Sequence, residues 1–401
     1  MSQPTGAEST TGRYLVLLED KSVAAGVREM NRVAGISAAT TADATTAEQL
    51  DTTDGVIFQD LGIAVVNATP DQVAQLTRAA EAPGPIAVVE AERVLQAYTA
   101  PPETGADEAA APAVDESVFT WGLQAVGANL SSATGKGVRV AVLDTGFTVA
   151  HPDYAGRVVI TQSFIQGEAV DDAHGHGTHC VGSAAGPRQP ASGGPGYGVA
   201  HEAEIYAGKV LSNAGFGSDS GILAGIEWAI ANGCAVVSMS LGASVQPGTP
   251  HSQIFEQAAT RALAKGTLIV AAAGNESRRP GRINPVGHPA NCPSILAVGA
   301  IDVQRAMGFF SCGTVDHIGQ VDLVAPGVDV YSSWNKEDGG LGMHKRIQGT
   351  SMATPHVAGV AALVAQKHGA RGWELWARLS QSARRLALPS TDVGAGLVQA
   401  P

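Results

Sequence analysis

Five short apolar runs, Val138–Leu143, Ile205–Val210, Ala235–Met239, Thr267–Ala273 and Ile295–Val298, recur between stretches of helical spacing. A strand with one wet face alternates apolar and polar residues, whereas a strand covered on both faces reads as a continuous apolar run. Between the runs, Ile222, Leu223, Ile226, Ala229 and Ile230 recur at helix spacing and Asn232-Gly233 closes that helix; Gln253–Ala264 is another. The pattern implies an α/β fold, a parallel sheet flanked by helices. In such sheets the reactive groups gather beyond the carboxyl ends of the strands.

The chain is uneven in charge. Residues 1–117 hold 6 basic and 18 acidic side chains, and residues 118–401 hold 19 of each, so the whole net charge of −12 sits in the front part. All 11 histidines lie in the second part. Residues 1–12 read as a disordered tail and residues 13–98 as a small mixed module. Its strands are Tyr14–Leu18, Val56–Phe58, Gly62–Val66 and Ile86–Val89. Its helix runs from Thr69-Pro70-Asp71 to Ala80, with Thr69 as N-cap and Pro70 first in the helix. Residues 99–117, rich in Ala, Pro and acid, read as an exposed, cleavable linker. Residues 118–401 form the main domain.

The acidic balance argues against a nucleic-acid partner. No apolar run approaches the roughly 18 residues of a membrane helix, so no membrane partner is expected. Tyr14–Leu18 is followed by Glu19 and Asp20, unlike a signal-peptide core, which reads as a cytoplasmic protein or one exported by a non-classical route. Cys180, Cys234, Cys292 and Cys312 are too sparse for a disulfide scaffold and leave three complete pairings open.

Three segments carry chemistry: VAVLDTG with Asp144, HGHGTHCVG with His174, His176 and His179, and GTSMATPHVAG with Ser351 before an apolar helix reaching about His368. Singly, each has a plain reading. An Asp after a strand forms turns, a Ser before a helix caps it, and histidines among glycines suggest a metal. Together they supply a hydroxyl, a base and an acid to orient the base, in glycine-rich surroundings that let a substrate approach the backbone.

With VAAAGNES these make four motifs in register, and on them residues 118–401 resemble a subtilisin-like serine protease (subtilase) catalytic domain, with Cys180 placed as in the proteinase K branch. The resemblance implies an endopeptidase acting on polypeptides through an acyl-enzyme, with no cofactor for catalysis. It assigns Ser351 as nucleophile, His176 as base, Asp144 as its orienting carboxylate and Asn275 as oxyanion donor beside the Ser351 N–H. Pro355 is placed in the first turn of the helix. Substrate edges fall on Gly215, Phe216 and Gly217 and on Ser240, Leu241 and Gly242. Gly287, with Ala272 and Gly274, lines a roomy, apolar first pocket with Glu276 near its rim.

Residues 13–98 resemble the family's inhibitory propeptide, an α+β ferredoxin-like domain, through their length, element order and the ending VVEAERVLQAY. This implies an intramolecular inhibitor, cut at Tyr98–Thr99 or in the linker. Its acidity suggests docking on Arg278, Arg279 and Arg282. Structural calcium is implied at Asp153 and, with the carbonyls of Pro293 and Ile295, at Asp322, although Pro187–Gly198 lacks the usual Asn-rich pattern. Two rival readings are a zinc-dependent hydrolase using His174, His176 and His179, and a catalytically silent binding protein on the same fold.

Overall fold

The computed structural model describes residues 10–19, 23–41, 54–100, 114–191 and 193–401. The expected tail lies outside them up to residue 9, and the expected linker over 101–113.

The front part contains β1 (Thr10–Leu18), α1 (Val23–Ala34), β2 (Ala39–Thr41), β3 (Gly55–Phe58), β4 (Ile63–Val66), α2 (Pro70–Ala80) and β5 (Ile86–Ala97). The strands hydrogen-bond in the order β5-β1-β4-β3-β2, antiparallel except for β2 with β3. Thr69 and Gln72 close a reciprocal capping box at the start of α2, with Pro70 first in the helix. Alternate residues of this sheet face two ways. Val16, Leu18, Ile57, Ala64 and Val66 pack with Met30 of α1 and Leu76 of α2. Leu15, Leu17, Phe58, Ile63 and Val65 enter the core of the main domain. Both faces are therefore buried, which is why Leu15–Leu18, Val56–Phe58 and Ile63–Val66 are apolar without a break.

The main domain begins with the short α3 (Trp121–Ala125) and continues through β6 (Arg139–Asp144), β7 (Val159–Ser163), α4 (His176–Ala185), β8 (Glu204–Lys209), β9 (Phe216–Ser218), α5 (Asp219–Ala231), β10 (Val236–Met239), β11 (Leu241–Gly242), α6 (Gln253–Ala264), β12 (Leu268–Ala272), β13 (Leu296–Ile301), β14 (Leu323–Pro326), β15 (Val330–Ser333), β16 (His344–Ile347), α7 (Thr350–His368) and α8 (Gly372–Ser382). Seven strands, in the order β14-β13-β12-β10-β6-β8-β7, form an all-parallel sheet. α7 is buried on every side from Thr350 to Ala365, as befits a helix inside the protein. β15 and β16 make a separate antiparallel pair.

Several elements depart from the sequence reading. α1, β2, β7 and β14 were not anticipated. β5 extends eight residues past the expected Val89, because its second half pairs with β9 and β11 of the main domain. No helix among the described residues is long and apolar enough to cross a membrane.

Candidate active site

Asp144 ends β6, and His176 opens α4. The His176 Nδ1–Asp144 Oδ1 distance is 2.7 Å, with both side chains fully buried. Two features bring the helix to the strand. Gly177 packs directly on the chain after Asp144, where a Cβ would come within 2.3 Å of the Gly146 carbonyl. Asp172 holds the start of the helix: Oδ1 accepts from the Gly175 N–H at 2.8 Å and the Thr145 hydroxyl at 2.9 Å, and Oδ2 from the Thr178 N–H at 2.9 Å. Asp172 was missed in the sequence. Its signal was a carboxylate four residues before the helix-opening histidine, where orphan N–H groups await an acceptor. Burial opposes a charged imidazole at His176, but the Asp144 carboxylate outweighs it and raises His176 well above its ordinary value.

Ser351 lies in the first turn of α7. Its hydroxyl donates to the Ser240 carbonyl at 3.1 Å, and His176 Nε2 is buried without a partner. Pro355 falls in the second turn, not the first: α7 starts at Thr350, so the missing N–H orphans the Ser351 carbonyl. The Ser240 hydroxyl supplies the replacement bond at 2.8 Å, and the Cys180 thiol approaches at 3.6 Å. Burial pushes the Cys180 thiol up to about 11, so it is not a thiolate at neutral pH. Asn275 follows β12. Its Oδ1 accepts from the N–H and hydroxyl of Thr350, both at 2.9 Å, which turns Nδ2 the other way, buried and unpartnered.

Residues 94–98 run between the two expected edges. Val94, Leu95 and Gln96 pair with Ser218, Gly217 and Phe216, and Gln96 and Ala97 pair with Gly242 and Leu241. The Ala97 N–H donates to the Gly215 carbonyl at 2.9 Å and the Tyr98 N–H to the Ser240 carbonyl at 3.4 Å. A Cβ placed on Gly349 would lie 2.9 Å from the Tyr98 carbonyl oxygen and 3.0 Å from Asn275 Nδ2, so carbonyl and amide converge beside Ser351. The buried Tyr98 ring fills the pocket between Gly242 and Gly287, where added Cβ atoms would lie 2.6 and 2.7 Å from it. The Tyr98 hydroxyl is buried there without a hydrogen-bond partner. Behind Gly274, Glu276 accepts from the Cys312 thiol at 3.2 Å, and burial raises its carboxyl. Ala272 is a sheet residue paired with Val298.

The three histidines do not converge. His179 Nε2 faces the carbonyls of Val330 and Lys345, at 3.0 and 3.2 Å, and burial lowers it to about 3. His176 is engaged with Asp144, and no gathering of metal ligands among the described residues contains all three. The four cysteines are free and buried.

The Asp153 carboxylate is not set out as a calcium ligand. Calcium takes six to eight oxygen ligands. Asp153 faces donors instead: the Ala191 N–H at 2.8 Å, the Tyr197 hydroxyl at 2.7 Å and His344 Nε2 at 2.8 Å. Asp322 accepts from the Ala297 N–H at 2.8 Å, and burial pushes it up to about 7.

The expected docking patch is also corrected. Arg278 donates to the carbonyls of Asn275 and Ser277, and Arg279 pairs with Asp392 at 2.7 Å. The front part's acids instead meet helix N-termini. Glu92 accepts from the Ser220 N–H of α5 at 2.9 Å, and Glu90 from the Gln253 N–H of α6 at 2.8 Å.

A sequence profile described as the subtilase family matches residues 135–396. Subtilisin DY of Bacillus licheniformis is 38% identical over 261 residues, covering 65% of this chain and 86% of that protein. Subtilisin Savinase of Lederbergia lenta is 41% identical over 252 residues, 62% of this chain and 84% of that protein. M-protease of Shouchella clausii (strain KSM-K16) is 41% identical over 252 residues, 62% of this chain and 60% of that protein.

Proposed function

The chain belongs to the subtilase family and is a serine-type endopeptidase, and on that premise we propose that it is made as a self-inhibited precursor whose front part is its own first substrate. Ser351 is the nucleophile, His176 the base and Asp144 the carboxylate that fixes the imidazole. Asn275 Nδ2 and the Ser351 N–H hold the developing oxyanion. The observation that carries the reading is the placement of Tyr98: its carbonyl oxygen shares a point beside Gly349 with Asn275 Nδ2, at 2.9 and 3.0 Å.

In this mechanism the Ser351 hydroxyl leaves the Ser240 carbonyl and gives its proton to His176 Nε2 as Oγ attacks the Tyr98 carbonyl carbon. Preorganised donors stabilise the tetrahedral anion without reorganising. His176 returns the proton to the Thr99 amine, the peptide bond breaks, and water then hydrolyses the ester. After cleavage, residues 94–98 stay between β9 and β11 as a product-like inhibitor, held by main-chain pairing that asks little of side chains. The role of the front part, the processing bond and the site assignments rest on this geometry and the family motifs.

The test is expression of the full chain and its Ser351→Ala variant, fluorophosphonate labelling with and without chelator, and sequencing of new N-termini. Labelling and a new terminus at Thr99 in the wild type alone are expected. A new terminus in the linker moves the processing bond, and activity surviving Ser351→Ala overturns the mechanism.

A further inference from the structure

Lys209 ends β8 with its side chain fully buried, in register beside Asp144 at the end of β6. A buried ammonium is costly unless its three N–H donors find acceptors. Here all three do. Nζ donates to the Thr145 carbonyl at 2.6 Å and to Asn213 Oδ1 at 2.8 Å, and it pairs with Glu168 Oε2 at 3.2 Å. The acyl transfer described above makes no use of this lysine, and an apolar side chain of similar volume often fills such a place at no loss of stability.

The acceptors lead to the reacting groups from two sides. Thr145 follows Asp144: its N–H donates to Asp144 Oδ1 at 2.7 Å, and its hydroxyl accepts from the Gly177 N–H of α4 at 2.8 Å. Asn213 Oδ1 also accepts from the Ala173 N–H at 3.3 Å, in the loop that runs into His176. One ammonium therefore ties down both the strand end that carries the acid and the loop that carries the base. Its charge reaches that loop. Burial holds His174 below its ordinary value, the charges of His176 and Lys209 add to this, and Asp144 and Asp172 oppose it. His176 itself faces Asp144 of β6, Cys180 and His179 of its own helix, and the His174 ring with centroids 6.1 Å apart.

We infer that Lys209 is a positioning residue of the cleavage reaction, holding the end of β6 behind Asp144 and setting by its charge the pH range over which His176 is a base. This holds on the reading that His176 is that base. A positive charge on this side of the imidazole opposes its protonation, and Glu168 offsets part of that charge. Asp144 and Lys209 thus act on His176 in opposite senses, and the imidazole becomes neutral at a lower pH than the carboxylate alone would allow.

The experiment follows the first-order self-cleavage rate of the full chain on gels across a pH series, after refolding from urea. It compares the wild type with Lys209→Met, Glu168→Gln and His176→Ala. The same substitutions in the Ser351→Ala chain give Tm and show which variants fold. Lys209→Met should lower the plateau rate by about ten- to a hundredfold, the scale on which a misplaced group is felt, and move the half-plateau pH upward. Glu168→Gln keeps an acceptor for Lys209 and for the Asn213 N–H while deleting the negative charge, so it should move the half-plateau pH downward. A merely structural role would not move the two midpoints in opposite directions. Where Lys209→Met does not fold, Glu168→Gln reports alone. An unshifted midpoint in either folded variant, or shifts of one sign, overturns the inference. Cleavage that survives His176→Ala overturns the base assignment instead, and the inference with it.

Discussion

Ser240 and Ser351 are bound to each other twice: the Ser240 hydroxyl donates to the Ser351 carbonyl at 2.8 Å, and the Ser351 hydroxyl donates to the Ser240 carbonyl at 3.1 Å. The first bond exists because Pro355 has no N–H to offer that carbonyl. Ser240→Ala should therefore destabilise the fold by about 1–3 kcal/mol, the cost of a buried acceptor left with only the weaker Cys180 thiol as donor. Pro355→Ala returns a main-chain donor, so the Ser240→Ala penalty should shrink in that background. Urea unfolding of the four combinations, all carrying Ser351→Ala, measures the coupling. Additive penalties would show that the two residues do not serve one carbonyl.

Self-cleavage should fail as pH falls, earlier than an ordinary histidine would dictate. The base must be neutral to accept the Ser351 proton. Asp144 raises His176 above its ordinary 6.5, so the imidazole stays protonated to a higher pH. The first-order cleavage rate should climb with pH and reach half its plateau above 6.5. Rates followed on gels across a pH series check this, and a plateau already complete at 6.5 contradicts it.

The parallel sheet was legible because five of its seven strands carry their own burial signal, and the site was legible because three residue types met in one order. What stayed hidden depends on partners far along the chain. β5 looked short because Glu90 and Glu92 interrupt its apolar run, yet those acids meet the N–H groups of Ser220 and Gln253. Asp153 looked like a calcium ligand because nothing local to it announces His344, 191 residues away. Arg278 and Arg279 looked available, but their partners are carbonyls and Asp392 within the same domain. Charge counting locates acids; it does not say which donors they meet.

The Tyr98 pocket predicts a size switch. A Cβ on Gly287 would lie 2.7 Å from the Tyr98 hydroxyl and 2.8 Å from the Ala243 carbonyl, so a larger side chain there fills the space of the ring. Gly287→Val should slow cleavage after Tyr98 at least about tenfold, which corresponds to roughly 1.4 kcal/mol of lost transition-state binding. Tyr98→Val in the same chain should recover much of it. The comparison is the self-cleavage rate of the two single variants and the double. Failure of the double variant to recover would show that the valine disturbs the backbone at Ala243 rather than the pocket.

The contacts of Glu92 predict that salt does little to separate the front part from the main domain. Glu92 is fully buried, bonded to Arg13 at 2.7 Å and to the Ser220 N–H at 2.9 Å at the start of α5. Salt screens exposed charges and reaches buried ones far less. The pair it does reach is Asp60 with Lys265, at 2.6 Å and about 40% exposed, and such pairs contribute little. After self-cleavage the two parts should stay together on gel filtration at both 0.1 and 1 M NaCl, as order-of-magnitude settings around the screening range. Glu92→Gln should weaken the association at either salt by about ten- to hundredfold, since hydrogen bonds to a charged group contribute roughly 1.5–3 kcal/mol. Release of the wild-type fragment by 1 M NaCl, as complete as in Glu92→Gln, would instead assign the attraction to screened surface charge, the mechanism that the −12 of the front part first suggested.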